Sequence, residues 1–302
     1  MIKIIIVVLI FIFVVVAIFA TNFGVKMTLM AKRKDSRKML EELWYNFGTD
    51  YREYKDLPVE EVFIKSHDGL KLKGFYHEVN KNSSKVIIIN HGYTANHYVT
   101  YQFIDMFFEV GYNVLLIDMR SHGESEGNYA TYGCQESKDI EQWINWVKDK
   151  FGSNAYIGIY GFSMGAAAVM LCSKSQEKEV KFIIEDCGFT TAREAIRFQF
   201  SKGKVPFWPL YHFVRFKALK KYNVDFDKIS PIDAISKSKI PTLFIHGEND
   251  EIIPTWMAKK LYETKKGDKD KLYIAPNAGH MTSYYKNREE YKKVINDFLD
   301  FL

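Results

Sequence analysis

Tyr156-Ile157-Gly158-Ile159-Tyr160-Gly161-Phe162-Ser163-Met164-Gly165-Ala166-Ala167-Ala168-Val169-Met170-Leu171-Cys172-Ser173 decides how this 302-residue chain is read. The first five residues are apolar and rich in β-branched and aromatic side chains, as in a strand buried on both faces. The stretch from Met164 to Ser173 is rich in Ala and unbranched apolar residues, as in a helix. Between them lies Gly161-Phe162-Ser163-Met164-Gly165. Gly-x-Ser-x-Gly alone is weak, because average composition gives one in a chain this long about one time in ten. Set between a strand and a helix, it gains a physical meaning. A tight strand-to-helix turn needs glycines beside it and lifts one hydroxyl above the strand end. The helix N-terminus beneath that hydroxyl favours negative charge.

Outward from this stretch, strands and helices alternate. Apolar runs at 86–90, 113–118, 156–160, 181–185, 242–246 and 272–275 read as parallel strands. Runs at 61–66 and 70–78 flank His67-Asp68-Gly69 and read as an opening antiparallel hairpin. Helical patterns fall at 101–110, 136–150, 164–173, 256–263 and 288–299. The order implies an α/β domain, with a mostly parallel eight-stranded sheet and helices on both faces. The stretch between 185 and 242 is far longer than a usual αβ connection. It carries Phe198, Phe200, Phe207, Trp208, Tyr211, Phe213 and Phe216, and is read as a small helical cap inserted at about 188–240.

A serine hydroxyl needs a base to become a nucleophile. His280, in Asn277-Ala278-Gly279-His280, follows the last predicted strand, and Asp250, in His246-Gly247-Glu248-Asn249-Asp250, follows the one before. Both stand at strand C-terminal ends, where open α/β sheets place their sites. The chain order Ser163, Asp250, His280 suits a nucleophile, an orienting acid and a base. Asp186, after the strand at 181–185, is the rival acid. His91-Gly92-Tyr93 follows the strand at 86–90 and is where a second oxyanion donor is expected, so that the backbone N–H groups of Tyr93 and Met164 form the hole.

HGY at 91–93, DMRSHGES at 118–125, GFSMG at 161–165, HGENDEIIP at 246–254 and NAGH at 277–280 occur in this order. With them, residues from about 60 to 302 resemble the Ser-type α/β-hydrolase superfamily. The likeness is to monoglyceride lipase-like, S33 serine aminopeptidase-like and membrane-anchored Bem46-like hydrolases. It implies Ser163 as nucleophile, Asp250 as acid, His280 as base, Tyr93 and Met164 as oxyanion donors, and no cofactor. It also implies structural roles for His91, His122 and His246. Ser121 departs from the glycine usual in that loop. The activity implied is acyl transfer to water, on a small-molecule acyl ester or lipid with an apolar chain. The alternatives are a peptidase or aminopeptidase, with Glu194, Asp225 and Asp227 as cap carboxylates able to meet a free amine, and a non-catalytic membrane-tethered binding module.

The N-terminus is a separate matter. Residues 4–20 form an unbroken apolar run after Lys3. One reading is a cleaved signal peptide, though cleavage after Ala20 leaves Ile18 where a small residue is expected. The other is an uncleaved transmembrane anchor over residues 1–22, favoured by the length of the run. Met39, Leu40, Leu43, Trp44 and Phe47 then recur at helical spacing, so 23–58 reads as a helical connector and 59–302 as the catalytic domain. Lys26, Lys32, Arg33, Lys34, Arg37 and Lys38 follow the span, which favours a cell-membrane protein with the domain in the cytoplasm. The formal charge of +5 is interspersed, which excludes a basic nucleic-acid stripe. Three cysteines without CxxC spacing, and no HExxH, point to no disulfide framework and no metal site.

Overall fold

A computed structural model describes residues 1–30, 57–176 and 178–302. The connector residues 31–56, including Met39 to Phe47 and the basic cluster at 32–38, lie outside the described residues.

Eight strands form one mixed sheet: β1 (Glu60–Lys65), β2 (Lys71–His77), β3 (Lys85–Asn90), β4 (Asn113–Ile117), β5 (Tyr156–Phe162), β6 (Val180–Asp186), β7 (Thr242–Gly247) and β8 (Lys271–Ala275). Their spatial order is β1-β2-β4-β3-β5-β6-β7-β8. β2 pairs antiparallel with both β1 and β4, and all other pairs are parallel. After β3 the chain moves to one side to make β4, then returns to the other side to make β5. That reversal opens a crevice at the strand C-terminal ends, beside β3 and β5.

The near-continuous apolar runs follow from burial on both faces. Val86 and Ile88 of β3 point into one core with Trp143 and Ile144 of α3 (Cys134–Phe151) and Val169 of α4 (Met164–Cys172). Ile87 and Ile89 point into the other with Phe107 of α2 (Ile104–Glu109) and Phe298 of α10 (Arg288–Asp300). Each buried branched side chain contributes about 1.5–3 kcal/mol from apolar burial. The helix expected over 101–110 differs at its start, opening as a 3₁₀ turn at His97–Phe103, capped by the Asn96 side chain.

After β6 the chain leaves the sheet and makes α5 (Ala192–Lys202), α6 (Leu210–Tyr222) and α7 (Pro231–Ile235) before β7. α8 (Trp256–Lys265) and the short α9 (Ser283–Lys286) complete the helices among the described residues. Tyr211, Val214 and Ala218 of α6 are buried, whereas Trp208, Phe213 and Phe216 are exposed, so the aromatic content of this insertion exceeds what its packing uses.

α1 (Ile2–Leu29) is long and apolar enough to cross a membrane, at about 42 Å for 28 residues. It runs unbroken to Leu29, so the anchor expected over 1–22 and the start of the helical connector expected from 23 form one helix. Its last turns belong to the domain: Val25 and Leu29 are buried in one cluster with Tyr211, Val214 and Ala218. The Leu29 carbonyl accepts from the Ala130 N–H at 2.8 Å. A Cβ on Gly24 would lie 2.6 Å from Val214 Cγ2, so glycine there lets α1 and α6 touch.

Candidate active site

β5 runs through Phe162, and α4 starts at Met164. Ser163 alone makes the turn, at φ 52° and ψ −113°. A non-glycine residue held there stores about 1–3 kcal/mol of strain, sustained by its surroundings. The Ser163 N–H donates to the Asp186 carbonyl at 2.8 Å. The flanking glycines answer to close approach: a Cβ on Gly161 would collide with the Gly165 carbonyl, and one on Gly165 would sit 2.5 Å from the His91 carbonyl oxygen.

Three sequence-selected side chains meet at this turn. His280 Nε2 lies 3.0 Å from Ser163 Oγ, and His280 Nδ1 lies 2.7 Å from Asp250 Oδ2. Asp250 Oδ1 accepts the Ile252 and Ile253 N–H groups at 2.8 and 2.9 Å. His246 Nε2 stands 3.2 Å from Asp250 Oδ2 and 2.8 Å from the Ile253 carbonyl oxygen. Burial opposes ionisation of Asp250, but the hydrogen bonds from His246 and His280 outweigh it and hold the carboxyl well below the usual range. An ionised Asp250 fixes the proton of His280 on Nδ1, which leaves Nε2 free to accept from Ser163.

The rival acid is turned elsewhere. Asp186 Oδ2 accepts from the Tyr291 hydroxyl at 2.7 Å, and that hydroxyl also contacts the Tyr160 hydroxyl. Burial pushes Asp186 up to about 6 and its neighbour Glu185 up to about 8. Glu185 is therefore largely protonated at neutral pH.

The loop after β3 packs against the serine: a Cβ on Gly92 would lie 3.3 Å from Ser163 Cβ. Two neutral histidines tie that loop to the one after β4. Burial above all drives His91 down to about 3. Its Nε2 accepts the Met119 N–H at 3.0 Å, so the proton sits on Nδ1 and is donated to the Gly92 carbonyl at 2.8 Å. His122 Nε2 accepts the Thr94 N–H at 3.1 Å, and its Nδ1 donates to the Arg120 carbonyl at 2.8 Å. Ser121 adopts φ 66°, which explains the glycine expected at that position. Tyr93 and Met164 flank Ser163 on the wall of one cavity. Met164 opens α4, so its N–H has no intrahelical acceptor. Among the described residues, no backbone carbonyl takes the Tyr93 N–H.

The cavity holds about 560 Å³ and reaches Ser163. Its walls come from α1, α5, the Tyr93 loop and the segment after Asp250, and no charged residue lines it among the described residues. Glu194, Asp225 and Asp227 do not line it. Glu194 bonds Thr190 and Lys260, and the two aspartates pair with Arg215 at 2.7 and 2.9 Å.

Among the described residues, two groups of side chains have metal-ligand character. Cys187, Asp250 and His280 bring ligand atoms within 4.8 Å of one another, but burial pushes the Cys187 thiol well up and keeps it a weak ligand. In the second group, with His67, the carboxylates of Asp68 and Asp139 are already bridged by Arg120, at 2.9 and 2.6 Å.

Sequence reading does not reach one feature of this site and leaves the partner of His246 unnamed. The contribution of α1 to the cavity wall carried no signal, because an apolar span reads the same whatever it touches. The support of Asp250 by His246 was legible in principle, since the two stand four residues apart around the turn after β7.

A serine in a strained turn between strand and helix, above a sheet wound both ways from β3, with a histidine and a carboxylate beyond later strands, defines an α/β hydrolase. A family model confirms the class and narrows it. The chain belongs to the prolyl oligopeptidase family, whose model matches residues 99–302. It is 33% identical to the protein YqkD of Bacillus subtilis over 91% of this chain and 90% of that one. It is 26% identical to the lysophosphatidylserine lipase ABHD12 of Xenopus tropicalis, covering 80% of this chain and 64% of that one. Among solved structures it is similar to the Pyrococcus furiosus esterase Pf2001, at 25% identity and a TM-score of 0.67, over 90% of this chain and 97% of that one.

Proposed function

We propose that this protein is a membrane-anchored serine hydrolase that cleaves the ester of an apolar acyl chain. The observation that carries this reading is the uncharged, apolar cavity with Ser163 on its wall. The His280–Ser163 separation of 3.0 Å supports proton transfer between them. In the proposed reaction Ser163 Oγ attacks the acyl carbon while His280 Nε2 takes its proton. The Tyr93 and Met164 N–H groups stabilise the oxyanion. His280 then gives the proton to the leaving alkoxide, and an alcohol departs from acyl-Ser163. Water repeats the attack with His280 as base, releasing the acid and restoring Ser163. Asp250 stays ionised throughout and balances the imidazolium.

The lipase and esterase among the relatives support an acyl ester substrate, the lipase in particular a lysophospholipid-like one. The family's peptidase name favours a second reading, peptide or aminoacyl amide hydrolysis. Against free-amine recognition stands the pairing of Glu194, Asp225 and Asp227 away from the cavity. Purified full-length protein is to be assayed on p-nitrophenyl acyl esters of graded length and on aminoacyl-p-nitroanilides. Turnover of medium or long esters with the anilides untouched is the result expected. Preference for the anilides would replace the ester reading with the peptidase one.

The exposed apolar length of α1 supports anchoring rather than cleavage. Lys217, Lys220 and Lys221 of α6 stand beside Phe13 to Asn22 and add positive charge where the span meets the domain. With Lys26 and the basic run at 32–38, this supports a cytoplasmic domain. Protease added outside intact cells is expected to leave the domain whole, and digestion from outside would reverse the orientation.

A further inference from the structure

The N-terminal helix does more at this site than hold the domain near a bilayer. Ala20, Phe23, Gly24, Met27 and Thr28 line the cavity that reaches Ser163. Their spacing of three and four puts them on one helical face. From Ala20 to Thr28 that face runs about 12 Å along the helix axis. Phe23 and Met27 are 58% and 62% exposed, so they serve the cavity surface rather than the core. The Tyr93 hydroxyl donates to the Met27 carbonyl at 3.2 Å, which couples α1 to the loop of the proposed oxyanion donor. Toward the start of the helix, Phe13, Ala17 and Thr21 line a groove of about 660 Å³ against Phe216 of α6. Lys217, Lys220 and Lys221 edge that groove. Apolar aromatics with lysine heads beside a span are the arrangement that seats a helix in the headgroup layer.

We infer that the last turns of α1 form the chain-selecting wall of the active-site cavity. The anchor and the acyl site are then one element. The substrate is a bilayer-resident amphiphile with one apolar chain, which slides along α1 from the headgroup layer to Ser163. The inference rests on the hydrolase reading above and adds the residues that set chain length, Phe23 and Met27. Met27 lines the cavity beside Tyr93. Phe23 stands one turn nearer the bilayer.

The test uses full-length protein in phospholipid nanodiscs and p-nitrophenyl esters from acetate to palmitate. Met27→Trp is expected to lower kcat/KM for the long esters at least tenfold more than for the acetate. Phe23→Ala, a truncation at an exposed position that leaves the fold intact, is expected to shift the optimum toward longer chains. Phe19→Ala, on the same helix but outside the cavity, is the control and is expected to keep the wild-type profile. An active wild type whose chain-length profile is unmoved by both Met27→Trp and Phe23→Ala would overturn the inference alone, as would a Phe19→Ala shift as large as theirs. A wild type that hydrolyses no ester and takes no fluorophosphonate label overturns the hydrolase reading, and the inference with it.

Discussion

Replacing Glu185 by Gln removes a buried ionisable group from the end of β6 while keeping its shape. Glu185 is fully buried, one oxygen accepts the Gly188 N–H at 3.0 Å, and the other has no partner among the described residues. Burial is the main reason its carboxyl rises from an ordinary 4.5 to about 8. Between those values the native protein holds a proton that the unfolded chain has lost, so stability falls as pH rises. The slope is about 1.4 kcal/mol per pH unit until the group ionises in the fold. From pH 6.5 to 9 the loss is therefore about 2 kcal/mol, or roughly 3 °C in Tm for a chain of this size. Asp186, raised to about 6, has given most of its own loss below this window. Asp250, held low, contributes stability above the unfolded carboxylate value that persists through the window. His246 is raised despite burial by its hydrogen bond to Asp250, and it adds a loss of the same sign above its unfolded value. Glu185→Gln should remove the Glu185 share of the slope and leave the shares of His246 and of the buried Cys172 and Cys187 thiols, which burial holds above their ordinary value. Thermal melts of wild type and variant at half-unit steps from pH 6.5 to 9 test the reasoning. Parallel curves, or a wild type that gains stability toward pH 9, would refute it.

Other outcomes follow from the same geometry. Asp250→Asn should lower kcat about 10⁴-fold by disturbing the His280 tautomer, whereas Asp186→Asn should keep kcat within about tenfold; kinetics on one ester decide, and the reverse order would reassign the acid. Gly165→Ala places a Cβ 2.5 Å from the His91 carbonyl and must push the Gly92–Tyr93 loop away from Ser163. The expected result is a loss of about 10²–10³ in kcat, the scale of one oxyanion donor, with unchanged kcat counting against Tyr93 in that role.

Much of this arrangement is legible in the sequence, for reasons that can be named. Runs such as 86–90 and 113–118 read as strands because both faces of the sheet are covered and their inner positions, 86–89 and 114–117, are all apolar. Ser163, Asp250 and His280 could be read together because each follows a strand, and parallel strands deliver their ends to one edge. Asp186 also follows a strand, and only side-chain direction, toward Tyr291 rather than His280, separates it from Asp250. Direction of that kind depends on packing from distant elements, which one sequence does not carry. The same limit hides the cavity wall from α1, whose residues 23–28 meet cavity residues some 65 to 230 positions further along the chain. Ser121 stands where a glycine is usual, and the reason for that glycine, a positive φ, is visible only in the fold.

The central claim is that Ser163 is a nucleophile activated by His280. Full-length protein incubated with a fluorophosphonate probe tests it most directly, with peptide mapping of the adduct and with Ser163→Ala and His280→Ala beside it. The account predicts one adduct on Ser163, none in Ser163→Ala, and labelling slowed at least a hundredfold in His280→Ala. An unlabelled wild type, or equal labelling of Ser163→Ala, would contradict it.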